Sequence, residues 1–272
     1  MRFVPRVITD GRAVALGGYI HRVNENVIRR NLPIPSASAS FGGMSEFKPG
    51  PYAFSSDAGG EKIVSFGGAE VKTWHDREDG NGKGPIQTVH AKSSITDLSV
   101  GNRLFLARAS AYLKTVYHHG DPQPAITPVE ATIEGLVIDG VRFNVTIAAD
   151  TVTNLATCHD FHHAAMHDKH FKDTQGRRLL SLWDAEDGRT SKGCFVYSLV
   201  ERIEWDGKLP DGAEVSEDSH VIVWPDFGKV VLGEMLISHF SRRLTMMRLA
   251  LGSPMEGSME ITDVQSSTQD LP

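Results

Sequence analysis

Asp139-Gly140 stands between two runs of alternating residues, and this constrains the fold more than any other feature of the chain. Before it come Ile133, Gly135 and Val137; after it Val141, Phe143, Val145 and Ile147 alternate with Arg142, Asn144 and Thr146. A two-residue hairpin needs positive φ at both central positions, which Asp-Gly accommodates, and the second arm has one apolar and one polar face. The spacing predicts a β-hairpin. Ile63 to Phe66, Gly67-Gly68 and Ala69 to Trp74 read as a second hairpin, and Phe3 to Thr9, Asp10-Gly11 and Ala13 to Ile20 as a third. Val230 to Ser238 with Arg243 to Leu251 make a fourth, in which Val231, Met235 and Ile237 face one way. Its second arm also fits a helical stripe through Phe240, Leu244, Met247 and Leu251, with the strand preferred.

Thr88 to Tyr117 is the longest apolar region and reads as long strands with a bend at Gly101-Asn102, while Pro122, Pro124 and Pro128 place 121–128 at an edge or in a crossover. These segments predict ten to fourteen strands. The fold class expected is mainly β: an antiparallel β-sandwich or barrel-like sheet with one inserted α-helix over about 153–172. Residues 1–255 read as a single β-rich domain that includes a basic N-terminal hairpin or arm over 1–30. Residues 256–272 read as an acidic, flexible tail. The segments SSITDLSV, EATIEGLVIDGVRFNVTI and RRLTMMRLALGSP resemble bacterial β-rich proteins, a resemblance that implies no activity or site.

Charge divides function classes. The net charge of −6 disfavours a general nucleic-acid binder, which needs clustered Lys and Arg. It also hides an asymmetry: residues 1–30 hold six Arg against Asp10 and Glu25, or +4, and residues 254–272 hold four acids and no base, or −4. Solvated ends explain this, and so does head-to-tail pairing between subunits. No run approaches the ~18 apolar residues of a membrane helix, so no integral membrane segment is expected. Pro5, Arg6, Asp10 and Arg12 interrupt what would be the apolar core of a secretion signal, and two cysteines are too few to imply an oxidising compartment; the expected location is cytoplasmic.

The chemically distinctive stretch is TCHDFHHAAMHDKHFKD, residues 157–173, with Thr153 or Thr157 as helix N-cap and Asp160 at the third position after Thr157. At about 100° per residue, His159, His163, His167 and His170 share one stripe, and Phe161, Ala164, Ala165 and Phe171 form the opposite, buried face. Imidazoles at i and i+4 can jointly ligate zinc or another divalent transition metal, with Asp160 or a loop carboxylate as oxygen ligand. The Glu of a H-E-x-x-H helix is missing, and a solvent-facing polar stripe is the plainer reading. Cys158 and His159 project about 100° apart and make a poor nucleophile–base pair. Asp79 to Gly84 is glycine-rich but has neither phosphate-loop nor calcium-loop spacing. Trp74, His75, Tyr117 and His118 stand at strand ends, where they would line a ligand cleft.

With no complete catalytic signature, the reading favoured is a non-enzymatic binding or assembly protein that forms a homo-oligomer or engages a protein partner. A metal-dependent hydrolase built on the histidine cluster is the alternative. A protein that permeabilises membranes through the long strands at 86–117 is a third.

Overall fold

Asp139 and Gly140, at φ 45° and 84°, make the expected two-residue turn and set Ile138 opposite Val141. The computed structural model describes residues 6–22, 30–31, 36–40, 43–55, 62–78, 84–183, 194–218, 220–252 and 255–271. These hold nineteen strands, more than the ten to fourteen expected, in two antiparallel sheets packed as a β-sandwich. The nine-stranded sheet runs Val200–Trp205, Val141–Ile147, Ala125–Ile138, Leu104–His118, Ile86–Val100, Lys62–Phe66 and Tyr52–Ser55, with Gly68–Glu78 also on Ile86–Val100 and Met44–Phe47 on Gly68–Glu78. The ten-stranded sheet is centred on Gly228–Ile237, Ser241–Leu251, Met255–Leu271 and Arg6–Arg22.

Both sheets carry a transverse crease. In the nine-stranded sheet, Val89, Ala91, Ser93 and Ile95 point inward at odd positions, but past Asp97 the inward residues are Leu98 and Val100. The same change of phase falls at Ala107 and Gly135 in the next two strands. On the other side it falls at Gly67, where Phe66 gives way to Val71 and Thr73. In the ten-stranded sheet it falls at Gly233, Met246, Thr262 and Ala15, which occupy one level of four adjacent strands. Register is the same on both sides of each crease because neighbouring strands change phase together. Asp97, Gly135, Gly233 and Thr262 take positive φ there.

Three expectations about turns and strand faces need correction. Gly67-Gly68 is not a hairpin turn: Lys62–Phe66 and Gly68–Glu78 lie on the same strand, Ile86–Val100, in one register, and Gly67 marks the crease. Asp10-Gly11 is not a turn either, since Arg6–Arg22 is one strand; residues 1–5 and 23–29 of the expected N-terminal arm lie outside the described residues. A Cβ on Gly11 would sit 2.9 Å from Val89 Cγ1 of the facing sheet, so close approach explains this glycine. Val231 does not share the buried face of Met235 and Ile237, because the crease at Gly233 lies between; Val230 and Leu232 are buried instead.

The acidic segment expected to be a flexible tail is the strand Met255–Leu271, flanked by Arg6–Arg22 and Ser241–Leu251. Met259, Ile261 and Val264 are buried, and Arg243 pairs Asp263 at 2.8 Å and Glu260 at 2.7 Å. The basic head and acidic tail therefore adjoin within one chain.

The helix expected over 153–172 is two helices, Cys158–His167 and Lys169–Gln175, after a 3-10 turn at Ala149–Val152. Asp168 breaks the run with an extended ψ of 111° and caps the second helix by accepting from Phe171 N at 3.1 Å. Thr157 and Asp160 form the expected capping box. The buried face is the one anticipated: Phe161 packs on Phe195, Tyr197 and Phe171 at centroid distances of 5.2, 5.3 and 5.7 Å. Arg242, 1% exposed, donates to the carbonyls of Leu155 and Thr157 and ties the helix start to the sheet, its pKa lowered by burial to about 10.

Candidate functional site

Beyond the crease, toward the Glu78–Ile86 end, the space between the sheets turns polar. Thr73, Thr115 and Ser266 are sealed from solvent, and Thr9 and Thr268 nearly so. Thr115 Oγ1 donates to Ser266 Oγ at 2.5 Å across the sheets. Thr9 Oγ1 donates to Gln87 Oε1 at 3.1 Å and lies 3.1 Å from His75 Nε2. Buried Thr73 Oγ1, His75 Nδ1 and Thr268 Oγ1 have no hydrogen-bond partner among the described residues.

On the outer face of the same strands, the register sets Trp74 beside His90, and their rings stack at 4.3 Å with planes 7° apart. Tyr112 lies 5.7 Å from Trp74 by ring centroids. His90 bridges two oxygens: Nδ1 is 2.6 Å from Tyr112 Oη and Nε2 is 3.2 Å from Asp76 Oδ2. Burial lowers the His90 pKa against the pull of Asp76, and burial followed by the Asp76 charge raises that of Tyr112. With Asp76 accepting from Nε2–H, Nδ1 accepts the phenolic proton, and the imidazole and the phenol are both neutral around pH 7. Such a relay holds a hydroxyl in place but does not generate a phenolate, since both shifts oppose it.

Strands alternate faces, so the four residues expected to line one cleft divide: Trp74 stands on the outer face, His75 and buried Tyr117 turn inward, and exposed His118 pairs with Ile86 at the rim. His159, Asp160, His163 and His167 are exposed on the first helix and His170 on the second. Only one oxygen of Asp160 is committed to the capping box, accepting from Thr157 N at 3.2 Å. The His163 and His167 rings lie 5.4 Å apart, and among the described residues no cluster of three or more His, Cys, Asp or Glu is placed to hold a metal. Residues 79–83 of the glycine-rich loop lie outside the described residues.

Sequence reasoning missed the strand Met44–Phe47, which pairs with Gly68–Glu78 alone among the described strands. Met44 is 68% exposed beside Trp74 and Phe47 is 51% exposed. Lys48 bridges Glu46 at 2.6 Å and Glu70 at 3.0 Å. Four residues are too few for a periodic signal, and only the exposure of Met44 and Phe47 distinguishes them.

A cleft of about 560 Å³ opens where turns of the two sheets meet, lined by Val141, Leu209, Pro210 and Trp224 among others. Its polar groups are engaged with one another. Arg103 holds Asp139 through Nε at 3.0 Å and Nη2 at 2.5 Å, and also reaches the carbonyls of Asp226 and Pro225. Trp224 Nε1 donates to Asp139 at 2.8 Å. This clasp joins the two sheets at their turns.

Fold and surface together define a two-sheet antiparallel β-sandwich with an ordered aromatic and polar face beside an exposed apolar edge. The family model described as Domain of unknown function (DUF8256) matches residues 8–238, and the chain belongs to that family. The matched span stops before Ser241–Leu251 and Met255–Leu271, although both strands lie inside the ten-stranded sheet. A search of curated proteins finds no match. Among the described residues, no helix is long and apolar enough to cross a membrane.

Proposed function

We propose that this is a non-enzymatic assembly protein that self-associates through the edge strand Met44–Phe47. The observation that carries the reading is this edge, where exposed Met44 and Phe47 flank a strand with one pairing neighbour among those described. An unpaired strand edge bearing apolar side chains is a template for another strand, and proteins that remain monomeric protect such edges. The charges favour a second copy. An antiparallel pairing with its two-fold axis at Phe47 sets Phe47 against Phe47 and brings Lys48, paired in its own chain with Glu46, opposite Glu46 of the second copy on either side, a self-complementary arrangement. The Asp76–His90–Tyr112 chain then stiffens the sheet behind the contact. Light scattering at low and high salt tests the proposal: a dimer or larger species supports it, and a monomer at both salt concentrations overturns it.

A further inference from the structure

The helix Cys158–His167 carries a feature that the assembly reading does not use. We propose that His163 and His167 form a two-imidazole clamp for a borderline divalent transition metal of the zinc class, independently of the edge strand. One helical turn separates them, both are exposed, and their ring centroids lie 5.4 Å apart. With metal–nitrogen bonds of about 2.0–2.1 Å, two imidazoles on one tetrahedral ion put their centroids roughly 5 Å apart, so the pair already stands at chelating separation. The support beneath it is rigid: Phe161, Ala164 and Ala165 are buried on the opposite face, the capping box fixes the start, and Arg242 anchors the carbonyl of Thr157.

The ligand set is narrower than the histidine stripe. Asp168 restarts the helix, so His170 belongs to a separate element, and one oxygen of Asp160 is held in the capping box. Two protein ligands leave the remaining positions to water or to a donor from another molecule. That suits imidazole-seeking ions such as Zn²⁺, Ni²⁺ and Cu²⁺ and disfavours Ca²⁺ and Mg²⁺, which need oxygen ligands.

Titration calorimetry of untagged full-length protein with Zn²⁺ and with Ni²⁺ alone tests this. The expected result is one site per chain, weakened at least tenfold in His163→Gln and equally in His167→Gln, unchanged in His170→Gln, and no site for Mg²⁺. Circular dichroism of each variant confirms that the fold is retained. Absence of binding in the wild type, or binding indifferent to both clamp substitutions, would overturn the proposal. Phe47→Lys should bind metal like the wild type, which separates this result from the assembly test.

Discussion

Gly233 and Thr262 take left-handed backbones, at φ 61° and 55°, on strands separated only by the strand carrying Met246, and so mark the crease of the ten-stranded sheet. A glycine is unstrained in this region, whereas a β-branched residue there is an outlier. Thr262 is fully buried and its hydroxyl has no partner among the described residues. Thr262→Gly should therefore cost less than about 1 kcal/mol, because relief of strain and of the buried hydroxyl offsets lost packing. Urea unfolding checks it; a loss of about 3 kcal/mol, typical of emptying a well-packed site, would contradict the strained assignment.

Gly11 tests the close approach of the sheets. Its added methyl would press on Val89 Cγ1 at 2.9 Å and His90 O at 3.3 Å, so Gly11→Ala should destabilise by about 1–3 kcal/mol. Val89→Ala in the same chain should recover part of that loss, and strict additivity of the two substitutions would argue against the contact.

The crease explains what was legible in the sequence. The Asp139-Gly140 hairpin and the Phe161/Ala164/Ala165/Phe171 face each follow from an uninterrupted period, and both are present. Alternation carried across Gly233 groups Val231 with Met235, but the chain changes phase there. Gly67 and Gly11 read as turn residues because composition alone does not separate a turning glycine from one set in a crease or under a facing sheet. The tail's acids suggested solvent, but Arg243 on the adjacent strand pairs with two of them. The Asp76–His90–Tyr112 chain depends on strand register, which pairs residues distant in sequence and has no local signature.

That chain should make stability sensitive to acid. Burial depresses the His90 pKa below its usual 6.5, so the unfolded chain binds the proton first. The contribution of His90 is complete above about pH 6.5 and is lost as pH falls toward the lower folded value. His90→Phe should flatten the loss of stability between about pH 7 and 5, measured by thermal melts in matched buffers. At pH 7, Tyr112→Phe should cost about 1–2 kcal/mol by leaving His90 Nδ1 without its partner. An unchanged pH slope in His90→Phe would remove His90 from the account.

The clasp at the turns predicts that Asp139→Ala loses about 1–3 kcal/mol, since Arg103 and Trp224 Nε1 both lose an acceptor in a partly exposed site. Asp139→Asn should lose less, because it retains an acceptor and tolerates φ 45°. Chemical denaturation of the two variants ranks them, and equal losses would mean that the carboxylate charge, which both variants remove, outweighs the retained acceptor and the backbone preference.

Sedimentation velocity of the wild type and Phe47→Lys, over a wide concentration range, tests the central claim most directly. Phe47 is half exposed, so lysine there should leave the fold intact and place like charges at the two-fold contact. The account predicts a concentration-dependent dimer or larger species for the wild type and a monomer for Phe47→Lys. A wild type that stays monomeric throughout, or a Phe47→Lys variant that associates equally well, would contradict it.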